Sequence, residues 1–123
     1  MAVKGKVIID TVVAGLDLSS HQYKFCTVNG SLAIENDLAH GVLQNKPLSG
    51  QHASLAVSGM TKVKAGGAIT KGARFKAGTG GVAFAVASGD GAAVGISRDT
   101  VNSGDTFSAI VDCANAATTF NSL

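Results

Sequence analysis

The 123-residue chain has no tryptophan, one tyrosine, one proline and two cysteines, and only 15% of its residues are charged. Each scarcity excludes a class of protein. Carbohydrate-binding surfaces present exposed Trp or Tyr rings as platforms, and this chain has almost none to offer. Two cysteines, Cys26 and Cys113, do not form a disulfide framework. Without a secretory pattern both read as free, buried, small apolar residues. Near the start, Val7-Ile8-Ile9 is broken by Asp10, too short a run for the core of a signal peptide. No apolar run exceeds a few residues, so no membrane-spanning helix and no membrane partner are expected. No stretch sustains a 3.6-residue apolar period, which leaves little or no helix. The low charge accompanies 46% apolar residues, a balance that favours an ordered core.

Catalytic patterns are missing as well. His21, His40 and His52 are too far apart in sequence for a short zinc spacing, and the cysteines do not complete one. Gly66-Gly67 through Gly72 lacks the Gly-Lys-Ser/Thr order of a phosphate loop, because here the order is Thr70-Lys71-Gly72. Gly78-Thr79-Gly80-Gly81 precedes a strand and reads as a hairpin tip. Asp90, Asp99 and Asp105 fall in or beside turns, where Asp is common for backbone reasons. No Gly-x-Ser-x-Gly is present. With no convergent polar set, neither an enzyme nor a cofactor is expected.

Net charge is +2. The one mild basic cluster is Lys62, Lys64, Lys71, Arg74 and Lys76. On strands it reads as a solvated edge that blocks stray pairing, and the six aromatics are not arranged for base stacking. No nucleic-acid partner is expected.

What remains is a run of short strands punctuated by glycine. Lys6 to Val13 is rich in Val, Ile and Thr and reads as a first strand or an extended arm. Tyr23 to Val28 alternates and meets Asn29-Gly30, a pair suited to a type I′ turn, with a return over 31–35. The lone Pro47 lies between strands, where its missing N–H costs no ladder bond. Gly59-Met60 reads as a turn before another short strand at Thr61–Lys64. Val82 to Ala87 alternates large and small, and its large face, Val82, Phe84 and Val86, is expected in the core. Leu55, Phe84, Val86 and Phe107 are the expected buried anchors.

One motif occurs twice. Residues 41–57 and 95–111 match at a spacing of 54, aligning Gly41 with Gly95, Ser49-Gly50 with Ser103-Gly104, Ser54 with Ser108 and Val57 with Val111. Each copy is a short strand opened by Gly, a polar excursion, a Ser-Gly turn and an alternating strand. The fold class that follows is all-β: a small β-barrel or β-tulip-like sandwich with a pseudo-repeat. The organisation expected is an N-terminal arm or first strand over 1–16, a β-domain over 17–112 and a tail over 113–123.

Several stretches together resemble a family. They are Asp17-Leu-Ser-Ser-His-Gln-Tyr-Lys-Phe-Cys-Thr-Val28, Gly41-Val-Leu-Gln-Asn-Lys-Pro47, Ser49-Gly50, Val57-Ser-Gly-Met-Thr-Lys-Val-Lys-Ala-Gly-Gly-Ala-Ile-Thr-Lys-Gly72 and Val94-Gly-Ile-Ser97. The chain over 17–112 resembles the capsid decoration, or cement, proteins of tailed bacteriophages. Ser103-Gly104-Asp105 departs from the family's usual Gly-Gly before the last strand. The resemblance implies a structural virion protein on the outer capsid surface, made in the host cytoplasm. It further implies a homotrimer at (quasi-)three-fold positions that braces the major capsid protein. Lys4, Lys6, Val7, Ile8 and Ile9 are the candidate capsid-binding residues, reaching out as an arm. The rival reading is a non-enzymatic carbohydrate- or receptor-binding β-domain of a phage tail or cell surface.

Overall fold

A computed structural model describes residues 7–33, 39–86 and 93–113. Eight strands form one antiparallel sheet that curls nearly into a barrel, with a single 3-10 turn at Thr79–Gly81 and no α-helical element among the described residues. The strands are β1 (Val7–Val13), β2 (Phe25–Cys26), β3 (Gly41–Leu43), β4 (His52–Lys64), β5 (Arg74–Ala77), β6 (Ala83–Ala85), β7 (Gly95–Ser97) and β8 (Thr106–Asp112). Their order is β2-β3-β4-β8-β7-β5-β6, with β1 on the other side of β4. The all-β, barrel-like class read from the sequence is the class observed.

The repeat extends well beyond the two matching sequence stretches. Val42 pairs with Ala56 and Leu43 with Leu55; 54 residues on, Ile96 pairs with Ile110 and Ser97 with Ala109. The polar excursions close alike: Gln51 N–H donates to Leu48 O and Asp105 N–H to Asn102 O. The side chains of Gln51 and Asp105 in turn accept from the N–H groups of Leu48 and Asn102. Gly50 and Gly104 hold φ of 86° and 90° at these turns, a region L-residues avoid. Earlier segments match too. Ala14 N–H donates to Gln51 O as Ala65 does to Asp105 O, and Leu18 N–H to Pro47 O as Ile69 does to Val101 O. β1 pairs with the first part of β4 (Val12 with Ala53) as the last part of β4 pairs with β8 (Val63 with Phe107). The molecule is therefore a tandem of two halves, one of four strands (β1 to β4) and one of five (β4 to β8), and β4 belongs to both.

That sharing overturns the turn expected at Gly59-Met60. Gly59 is paired on both sides, with Val7 and with Val111, so its ladder bonds carry the strand straight through. Its φ of 115° falls where one half hands over to the next.

The halves stack head to tail. In the first half Ala14, Leu18, Cys26, Leu43, Ala53 and Leu55 fill one small core. The opposite face of the same sheet, Phe25, Val42 and Ala56, packs into a larger core with Ile69, Phe75, Phe107, Ala109 and Val111 of the second half. Phe75 sits at its centre, edge-on to Phe107 at 5.3 Å and tilted to Phe25 at 6.2 Å. Close approach is required at the matched glycines: a Cβ on Gly41 would lie 2.9 Å from Ala56 O, and one on Gly95 2.5 Å from Ile110 O.

Leu55 and Phe107 are buried as expected, but Phe84 and Val86 are only half-buried. On β6 the faces are the reverse of the expectation: Ala83 is buried and Phe84 lies on the outer face opposite Lys76. On the neighbouring β5 the inner side is taken by Phe75, and Ala85 opposite it is exposed. The Phe84 ring instead lies over Gly66 and Gly78, where an added Cβ would overlap it. The hairpin after β2 exists with another turn. Gly30 N–H donates to Thr27 O, and Gly30 has positive φ (79°) while Asn29 does not, so this is not type I′. The end of its return strand, the Gly89-Asp90-Gly91 turn and the tail beyond Cys113 lie outside the described residues.

Candidate functional site

The sequence places the candidate site at the N-terminus. Lys4 and Lys6 lie outside the described residues. Val7 opens β1, which is joined to β4 along its whole length, so residues 7–13 are a strand of the domain. A bulge between Ile8 and Ile9 breaks the alternation and leaves both side chains exposed, at 57% and 46%. Among the described residues β1 pairs with β4 alone, and no described strand pairs with the backbone donors and acceptors of its other edge. Asp10 ties the strand to the segment before β3: its carboxylate meets His40 Nε2 at 2.7 Å. The His40 hydrogen bond, with help from Thr11 N–H, holds the Asp10 carboxyl below its ordinary range.

The other reactive groups do not converge. His21 Nδ1 meets Lys24 Nζ at 3.0 Å, and burial with the nearby ammonium lowers its pKa. His52 lies at the start of β4. Among the described residues no three His, Cys, Asp or Glu side chains sit together. Both cysteines are free and buried in different cores. Burial pushes the Cys26 thiol up to about 11; burial and the neighbouring Asp112 charge push Cys113 to about 12. Both are inert as nucleophiles at neutral pH.

A second surface was not legible as a site in the sequence. Strand pairing puts Met60, Ile110 and Ile96 side by side on β4, β8 and β7, on the outer face of the second half. They are 36%, 47% and 44% exposed. Of the basic cluster read from the sequence, Lys62, Lys64, Arg74 and Lys76 share this face, and Arg98 Nη1 reaches Met60 Sδ at 3.7 Å. Lys71 stands apart in the turn before β5. The signal available in the sequence was the alternation Lys62-Val63-Lys64 and Arg74-Phe75-Lys76, which sets charge on one face and core on the other.

No protein-family model and no curated protein sequence matches the chain. Among solved structures, the fold is similar to the N base of the head fibre protein gp8.5 of bacteriophage phi29, with a TM-score of 0.66 and 15% sequence identity over 88% of this chain and 96% of that one. The chain therefore has the fold of a phage head fibre base.

Proposed function

We propose that the chain is a structural protein of a tailed-phage virion that sits on the outside of the icosahedral head and braces the major capsid protein. The observation that carries this reading is the shared fold with a head fibre base across nearly the full length of both chains. The sequence stretches that resemble decoration proteins point the same way. No catalytic role belongs to the reading; the groups that would carry one are dispersed over separate elements.

A brace stabilises a shell by binding the assembled lattice more tightly than loose subunits. One small domain offers limited contact area. A homotrimer over a (quasi-)three-fold position compensates, because the second and third contacts become intramolecular once the first has formed. β1 is the anchor in this reading. Its edge away from β4 accepts or donates a strand from a capsid subunit, with Ile8 and Ile9 giving side-chain contact and Lys4 and Lys6 extending the reach.

Because β1 is also a strand of the sheet, its deletion tests folding as much as binding. The cleaner test removes residues 2–6, or replaces Ile8 and Ile9 by Ser, and measures co-sedimentation with capsid shells. The expected result is an unchanged circular dichroism spectrum with shell binding weakened about tenfold or more. Undiminished binding by both folded variants rules out the anchor. Absence of the chain from purified virions rules out the virion role itself.

A further inference from the structure

We infer that the outer face of the second half is a docking surface for an acidic protein surface carrying an apolar ridge; the inference rests on the virion reading and identifies that surface with the capsid. On a solvated face of an antiparallel sheet, polar side chains alternate with the buried ones. Here three neighbouring strands each place a large apolar side chain on that face, in direct cross-strand register: Met60, Ile110 and Ile96. Side chains so paired touch across the ladder and make one patch.

The tandem shows what such a row does. Ala56 and Val42 occupy the positions of Ile110 and Ile96 in the first half, and both are fully buried beneath the core of the second half. The same row, one repeat on, stays 36–47% exposed, and among the described residues nothing packs over it. It has also changed character. Arg74 pairs with Ile96 where Phe25 pairs with Val42. Lys62, Lys64, Lys76 and Arg98 complete the rim, so five of the chain's ten lysines and arginines stand on this face, with Asp112 as its one acid among the described residues.

An apolar centre inside a polar rim is the anatomy of a protein interface. A cationic rim selects an acidic partner and speeds its approach. The face also adjoins β1: Ile8 pairs with Ser58, two residues before Met60 on the same strand. One partner lying along the β1 edge would meet the stripe.

The test uses the full chain and shells reassembled from the major capsid protein encoded with it. Ile96→Ser with Ile110→Ser removes the centre, and Lys62→Glu with Arg98→Glu reverses the rim. Lys62→Arg with Arg98→Lys keeps the charge. The expected result is about tenfold or greater loss of shell binding for the first two pairs, retention for the third, and weakening of the wild type as salt rises. Wild-type binding that both disruptive pairs leave intact overturns the face while the virion reading stands. A wild type that never binds shells overturns both. Two further results overturn the acidic-protein assignment: charge-dependent binding to a DNA fragment as tight as to shells, or an oligomer that the Ile pair converts to monomer without loss of shell binding.

Discussion

Replacing Phe75 by Ala tests the architecture at the point where the halves meet. The ring is fully buried, edge-on to Phe107 and tilted to Phe25. A Phe→Ala change in a core costs about 3–5 kcal/mol. The upper end applies, because the far end of the ring faces Gly95, where an added Cβ would lie 2.7 Å from Cζ. Glycine has no side chain to relax into the space, and two aromatic contacts worth about 0.5–1.5 kcal/mol each are lost with the ring. A loss of about 4–5 kcal/mol takes up much of the roughly 5–15 kcal/mol that holds a domain together. In a domain of this size it lowers the melting temperature by about 15–20 °C. Phe84→Ala is the control. Its ring is half-buried over Gly66 and Gly78, so its removal costs about 1–2 kcal/mol. Urea denaturation followed by circular dichroism reads both. If Phe84→Ala costs as much as Phe75→Ala, the assignment of inner and outer faces on β5 and β6 is wrong. A Phe75→Ala loss below about 2 kcal/mol would likewise refute the central role given to that ring.

Three further outcomes are expected. Gly50→Ala and Gly104→Ala should each destabilise by about 1–2 kcal/mol and by equal amounts, since both have positive φ with no neighbour within 4 Å of an added Cβ; unequal losses in denaturant midpoints would contradict the structural repeat. Asp10 should titrate below its ordinary 3.8, and His40→Gln should return it towards that value by NMR. Because the folded-state pKa is the lower one, the pair's contribution is present above the unfolded value and disappears as pH falls through the folded value. Cys26 and Cys113, with thiols pushed up to about 11 and about 12, should resist a thiol reagent at pH 8 in the native protein and react after unfolding; rapid labelling of the folded chain would show that the cores open readily.

The parts of the fold that were legible are those set by local pattern. Phe107, Ala109 and Val111 recur at every second position of β8, and the strand buries that face. The Ser-Gly turns at Gly50 and Gly104 need positive φ, and the sequence marks them. The misreadings occur where tertiary context decides. Val82, Phe84 and Val86 have the alternation of a core face, but Phe75 on the neighbouring β5 takes the inner side. Gly59 carries a turn signal, yet pairing on both flanks overrides it. Tyr23 is a case of its own: its φ of 70° is unusual for a side chain of that size. Its N–H donates to Leu43 O as that of Gly72 donates to Ser97 O, and Gly72 has a φ of 85°. The repeat imposes a glycine's geometry on a tyrosine, and no local signal announces it. The candidate site was half legible for a related reason. Periodicity shows that Lys62 and Lys64 leave the core, but only strand order brings them beside Arg74, Lys76 and Arg98.

β4 has a consequence for the molecule as a whole. Two halves related by a two-fold axis would show the same surface at either end and suit a task without direction. Here strand direction reverses from one half to the next, yet the outer sheet face of the first half packs into the core of the second, with one strand as the joint and no linker to pivot on. The ends of such a stack differ. The first half is closed by its own small core, and the second presents a sheet face that no described residue covers. The chain thus has polarity, a front and a back fixed by the order of its residues, before it meets any other molecule.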